Sequence, residues 1–349
     1  MTETLTQLLR ERADAVRFDA VALDAIMQAG SRAVRRRRFA SAGAGLVLAG
    51  ACVVAIHGSP GSDGDRVADR GALPTETVSW ALGSVLHTPG TTFDVGHPIH
   101  AYVRTEAGYV VVDGDGTARS LVDGTLREVG RAQGLRVFAD TDDSVVAWAD
   151  ADTRGVVMTL DLVTGQFSRY TTTHGDLSVS AIDGTAVYGR DDRGTVRWSA
   201  GSLGGAVMDL GQVEAAEDGV VVTNPHDGTM LVIRPGAAPV RIPAQGQRSL
   251  LSPDARYLAI EGHRPLVFDA TTGEQVRVDP QGLRSTPLEW LGDHTVVLLT
   301  QEQKAGSFEL VTCSVPDGAC RVDVADTGIS YDQDEDPEGY AVPVGERLD

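Results

Sequence analysis

The chain is poor in lysine, asparagine, cysteine and aromatics. Lys304 is its only lysine and Asn224 its only asparagine, and aromatic residues make up 5% of the 349. Thirty Lys+Arg stand against 49 Asp+Glu, a formal charge of −19. That shortage of positive charge argues against a nucleic-acid partner, because phosphate binding depends on cationic side chains that displace condensed counterions. Cys313 and Cys320 offer only two thiols with no histidine nearby, too few for the four ligands of a structural zinc site. Eight histidines are scattered (His57, His87, His97, His100, His174, His226, His263 and His294), and no pair has a spacing such as H-E-x-x-H. There is no G-x-S-x-G elbow, P-loop or dinucleotide fingerprint. On these grounds no catalytic residue, cofactor or resident metal is expected. Beyond Thr75 no helical periodicity of twelve or more residues occurs, which excludes an α or α/β domain there.

The charge that is present is unevenly placed. Residues 1–38 carry eight arginines and five acids, a net +3, so the remainder carries −22. Arg35, Arg36, Arg37 and Arg38 stand immediately before an uncharged run of 18 residues, Phe39–Ile56. A helix of that length spans ~27 Å, about one hydrocarbon core, and satisfies every backbone polar group within itself. The arginine block should remain cytoplasmic, placing the C-terminal bulk outside. A cleaved signal peptide fits less well, since 38 residues are too many for a secretory n-region. The expected organisation is therefore a cytoplasmic helical head (1–38), a transmembrane helix through the bilayer (39–57), a Gly/Asp/Pro-rich flexible linker (58–74) and an extracytoplasmic domain (75–349). Within the head, residues 3–30 show an approximate 3–4 spacing of apolar residues. Such a segment either lies on the membrane surface or docks a cytoplasmic regulator.

From Thr75 the sequence becomes a series of short Val-rich runs broken by Gly and Asp, such as YVVVD (109–113), VVMTLDL (156–162) and HTVVLL (294–299). Asp-Gly, a strong hairpin signal, recurs at 113–114, 115–116, 123–124, 183–184, 218–219, 227–228 and 317–318. Three turn segments align: LDLVTGQ (160–166), FDATTGE (268–274) and CSVPDGA (313–319). They belong to a ladder of hairpin glycines at 90, 124, 165, 204, 236, 273 and 318, whose ends lie six steps apart with a mean step of 38. A period near 40 with about four strands per unit predicts an all-β, seven-bladed β-propeller; six blades with an accessory hairpin is the alternative. The first blade holds only three strand-like runs, so YAVPV (340–344) is predicted to supply the fourth and close the ring.

Cys313 and Cys320 flank a hairpin turn, and opposed strand positions bring two cysteines within bridging reach. A disulfide is predicted, and an oxidising exterior would preserve it. Asp332, Asp334 and Asp336 form an acidic run that could offer oxygens to Ca²⁺, but it lacks the glycine and the downstream Glu of an EF-hand loop and reads first as a solvated loop. Asp140, Asp142, Asp143, Asp150 and Asp152 receive the same reading. Trp80, Trp148, Trp198 and Trp290 are read as inter-blade core at comparable strand positions.

One segment carries a family resemblance. Ser252, Pro253 and Asp254 open SPDARYLA (252–259), and a strand ending VFDATTGE follows. This resembles the S-P-D-G-x-x-L-A unit of WD40-like and TolB-like propellers, with Ala255 in place of the usual glycine. The whole layout resembles a group of actinobacterial single-pass membrane proteins with an extracytoplasmic WD40-like domain. The expected role is a non-catalytic recognition, scaffold or sensor module at the cell envelope, whose acidic faces favour a basic protein partner. The competing role is a propeller lyase or hydrolase. That role requires three or more His, Asp, Glu or Arg side chains converging at the channel mouth.

Overall fold

The computed structural model describes residues 78–199, 204–225, 227–244, 248–262, 265–280, 284–301, 307–329 and 340–346. The head, the apolar run with its arginine block, the linker and Asp332, Asp334 and Asp336 lie outside these residues. Among the described residues no helix is long and apolar enough to cross a membrane.

Seven four-stranded antiparallel sheets follow one another along the chain. Within each of blades 2 to 7 the strands pair in sequence order, as consecutive hairpins require. The first strands of successive blades lie against one another and define the axis of a ring. Blade 1 is built from both ends of the domain. Its inner strand, Tyr340–Ala341, pairs with Trp80–Leu82 through Ala81↔Ala341 and Leu82↔Tyr340. Seven blades and closure by the chain end are thus as the 38-residue ladder predicts. Closure matters physically because a ring leaves no open inner edge for pairing with another chain.

The ladder glycines occupy one structural position. Each lies in the turn between the third and fourth strands of its blade, and each has positive φ, from +69° at Gly165 to +78° at Gly273. An L-residue with a Cβ resists that conformation, so glycine recurs there. Around two of them the hydrogen bonding is the same. Asp161 Oδ1 accepts from the N–H groups of Val163 and Thr164, and Gly165 N donates to the Asp161 carbonyl. Asp269 does the same with Thr271, Thr272 and Gly273.

Seven apolar clusters hold the ring, one at each junction between neighbouring blades. The junction of blades 3 and 4, for example, packs Val157 and Tyr170 against Val187 and Trp198. Trp148 and Trp198 are fully buried and Trp290 nearly so, which agrees with a core role. Their strand positions are not comparable, however. Trp80 and Trp148 lie on second strands, Trp198 on a third and Trp290 on an inner strand. Each tryptophan fills the gap its own junction leaves, so volume rather than repeat position governs its placement.

Candidate functional site: the central channel

The inner strands leave a cavity of about 140 Å³ on the ring axis, lined from all seven blades. Its charged members are Arg104 of blade 2, Glu214 and Glu217 of blade 5 and Glu289 of blade 7. Backbone irregularity helps aim them. The register between first and second strands shifts between Val213 and Ala215, between Val179 and Ala181, and between Pro287 and Glu289. A bulge re-aims the side chain it carries, and Ser180, Glu214 and Leu288, the residues at these shifts, all line the cavity.

The carboxylates fall into two kinds. Asp140 and Asp183 end the inner strands of blades 3 and 4 and lock each blade to the next. Asp140 Oδ2 accepts from Gly184 N at 2.6 Å, and Asp183 Oδ2 accepts from Gly219 N at 3.0 Å. Asp140 is only 2% exposed and also accepts from Asp143 N, so it is a structural carboxylate and not part of a solvated loop. Burial pushes its pKa up to about 6, against the pull of those two N–H donors. Burial likewise raises Asp183.

Among the described residues Glu217, at the corresponding strand end in blade 5, has no such partner, and Glu214 makes no hydrogen bond or ion pair either. Burial pushes Glu217 up to about 10, with the negative charges of Asp140, Asp142, Asp183 and Asp143 adding to the effect. Burial and the nearby Glu346 raise Glu214 to about 7. Glu289 is also raised to about 7 by burial, although Arg104 Nη1 stands 3.5 Å from its Oε1 and opposes the rise.

The chain end enters the same channel. Pro343 and Val344 join the lining. Gly345 N donates to the Tyr102 carbonyl of blade 2, and Val137 N, at the start of blade 3, donates to the Gly345 carbonyl. Glu346 then pairs with Arg136 and with Arg248, each at 3.0 Å, tying the first residues of blades 3 and 6 to the closing segment.

The other residues singled out from the sequence lie apart from this cavity, except Pro253 and Trp290, which line it. Cys313 and Cys320 are directly opposed in blade 7 and form a disulfide with Cα atoms 4.1 Å apart. In blade 6, Ser252 Oγ donates to Asp254 Oδ1 at 2.6 Å and accepts from Tyr257 N, closing the turn that Pro253, a cavity-lining residue, enters. Ala255 takes the glycine conformation at φ 52° and is fully buried, so the missing glycine leaves the turn intact. Asp254, Asp293 and His294 bring donor atoms within 4.8 Å of one another on adjacent blades, a group that sequence spacing does not reveal. Sequence reading also missed Arg104, Glu214, Glu217, Ser249, Glu289 and Glu346. A single acid on a strand carries no signal until the ring brings seven strands to one axis.

No protein-family model and no curated relative matches the chain. Solved structures similar to it include Hsv2 from Kluyveromyces marxianus (13% identity, 62% of this chain and 72% of that chain, TM-score 0.45). TolB from Acinetobacter baumannii is similar over 71% of this chain and 64% of its own (17% identity, TM-score 0.42). The designed protein Ika8 is similar over 74% and 87% (17% identity, TM-score 0.48). The class is a β-propeller. The seven sheets and their closure define it.

Proposed function

We propose that the protein is a non-catalytic recognition module: an extracytoplasmic propeller carried on the span 39–56, with the basic head inside. The observation that supports a binding role is the state of the channel's polar groups. Asp140 and Asp183, at the strand ends beside the channel, are committed to joining blades, Arg104 is held against Glu289, and the Ser249 hydroxyl has no hydrogen-bond partner among the described residues. Among the described residues no nucleophile is hydrogen-bonded to a general base in the cavity, the arrangement that nucleophilic catalysis uses. What remains is negative charge at the end of the ring that carries the first hairpins, where Asp143 and Asp218 are exposed. Such a surface attracts a cationic partner and loses that attraction in salt. The anchor and its orientation rest on the 18-residue run and the four arginines.

The test has two arms on the full chain in intact cells. A Ser59→Cys variant should react with a membrane-impermeant maleimide, and a Thr6→Cys variant only after permeabilisation; the reverse pattern overturns the orientation. A photocrosslinker at Asp143 or Asp218 should trap a basic protein, and trapping should fall when the neighbouring rim acids become Asn. Trapping that ignores those charges overturns the partner reading.

One observation favours a second reading. Four charged side chains do converge on the channel, and Glu289 with a pKa of about 7 could serve as a general acid. Turnover of a substrate that Glu289→Gln abolishes in a folded protein would assign the channel to a lyase or hydrolase.

A further inference from the structure

The fold does not use up the polar groups of the channel. Ser249 is 3% exposed, lines the cavity, and its hydroxyl has no hydrogen-bond partner among the described residues. A buried hydroxyl left this way keeps an uncompensated desolvation cost, which a ligand N–H would remove. Glu214 and Glu217 stand on the same strand without a hydrogen bond or counter-ion among the described residues. Three residues of a bulged strand separate their backbones by at most roughly 10 Å. Between them on the strand lie Ala215 and Ala216, and blades 6 and 7 add the apolar Leu250, Leu251 and Leu288, while Arg104 and Glu289 pair with each other elsewhere in the lining. The cavity volume of about 140 Å³ is near the ~150 Å³ of an engineered cavity that admits benzene, so it suits about six or seven non-hydrogen atoms.

Two carboxyl groups at the ends of a short stretch, neither with a partner among the described residues, suit two ammonium groups joined by methylenes, since a cation placed beside each favours its ionised form. A metal ion fits less well. It needs its oxygen ligands around one point, and among the described residues the only acid group with donor atoms that close is Asp254, Asp293 and His294. An ammonium group brings three donors, enough for a carboxylate and a hydroxyl together. We propose that the channel binds a free aliphatic diamine of four or five carbons. Its two ammonium groups pair with Glu214 and Glu217, one N–H reaches the Ser249 hydroxyl, and its methylenes lie along the apolar lining. The proposal rests on the channel being a binding site and names its ligand class.

Isothermal titration of the full chain with diaminobutane, diaminopentane, butylamine and diaminooctane tests it. The two short diamines should saturate one site, butylamine should bind at least about tenfold more weakly, and diaminooctane should be excluded by its length. Glu214→Gln and Glu217→Gln should each weaken binding by about tenfold or more, and Ser249→Ala by about threefold, with melting curves showing each variant folded. Absence of a saturable site, or unchanged affinity in both Gln variants, overturns the proposal. Binding of an acetyl-lysine-amide in place of the free diamines also overturns it, assigning the channel to a partner's side chain. Diamine recovered unchanged supports it. Diamine recovered chemically altered leaves the site standing but removes the non-catalytic reading, whereas loss of the rim crosslinks alone leaves diamine binding untouched.

Discussion

Glu346 and Arg248 meet at 3.0 Å across the ring, one on the closing segment and the other at the entrance to blade 6. Glu346 also pairs with Arg136, so one carboxylate holds two blades to the chain end. Arg248 and Glu346 are 16% and 21% exposed and Arg136 is 58% exposed, so the first pair should dominate. Glu346→Gln is expected to cost about 1–2 kcal/mol and lower Tm by about 2–4 °C, measured by differential scanning calorimetry. Removing 340–349 takes away the inner strand of blade 1 as well and should lower Tm far more.

Glu217 should make stability fall as pH rises. Its pKa lies near 4.5 in the unfolded chain and is pushed up to about 10 in the fold. Between those values the folded state binds more protons than the unfolded state, so stability is greatest below pH 4.5 for this group and is lost progressively toward pH 10. Glu217→Gln should therefore raise Tm at pH 8 by an amount corresponding to at least about 1 kcal/mol and leave it unchanged at pH 4. Equal melting of variant and wild type at both pH values would contradict this.

Reduction of Cys313–Cys320 should be measurable but not fatal. The bridge closes a loop of sequence separation 7, for which the loop-entropy relation gives about 2–3 kcal/mol. Melting with and without reductant should show that loss. Mass mapping should find both cysteines alkylated only after reduction.

Ala255 balances three terms. Its positive φ costs about 1–2 kcal/mol relative to a right-handed conformation. Glycine would remove that cost but lose about 0.8 kcal/mol of methyl burial and about 0.5–1 kcal/mol of chain entropy. Ala255→Gly is thus expected within about 0.5 kcal/mol of wild type in urea unfolding, and Ala255→Val, β-branched at φ 52°, strongly destabilised.

Local chemistry accounts for what the sequence by itself determined. Turn glycines, Asx turns such as Asp161 and Asp269, and Val-rich runs act within a few residues, so the blade period, the closing strand and the opposed cysteines are legible along the chain. The charge division between residues 1–38 and the rest is legible for the same reason. Only the tertiary structure decided what lies on the axis. Asp140 reads as one more loop acid until Gly184 of the next blade is placed against it. Arg104 and Glu289 are 185 residues apart and meet only because blades 7 and 2 flank the closing blade. Glu214 faces the cavity because a bulge breaks the strand alternation that sequence reading assumes. Ring closure converts positions without local signal into neighbours, and burial then changes their chemistry.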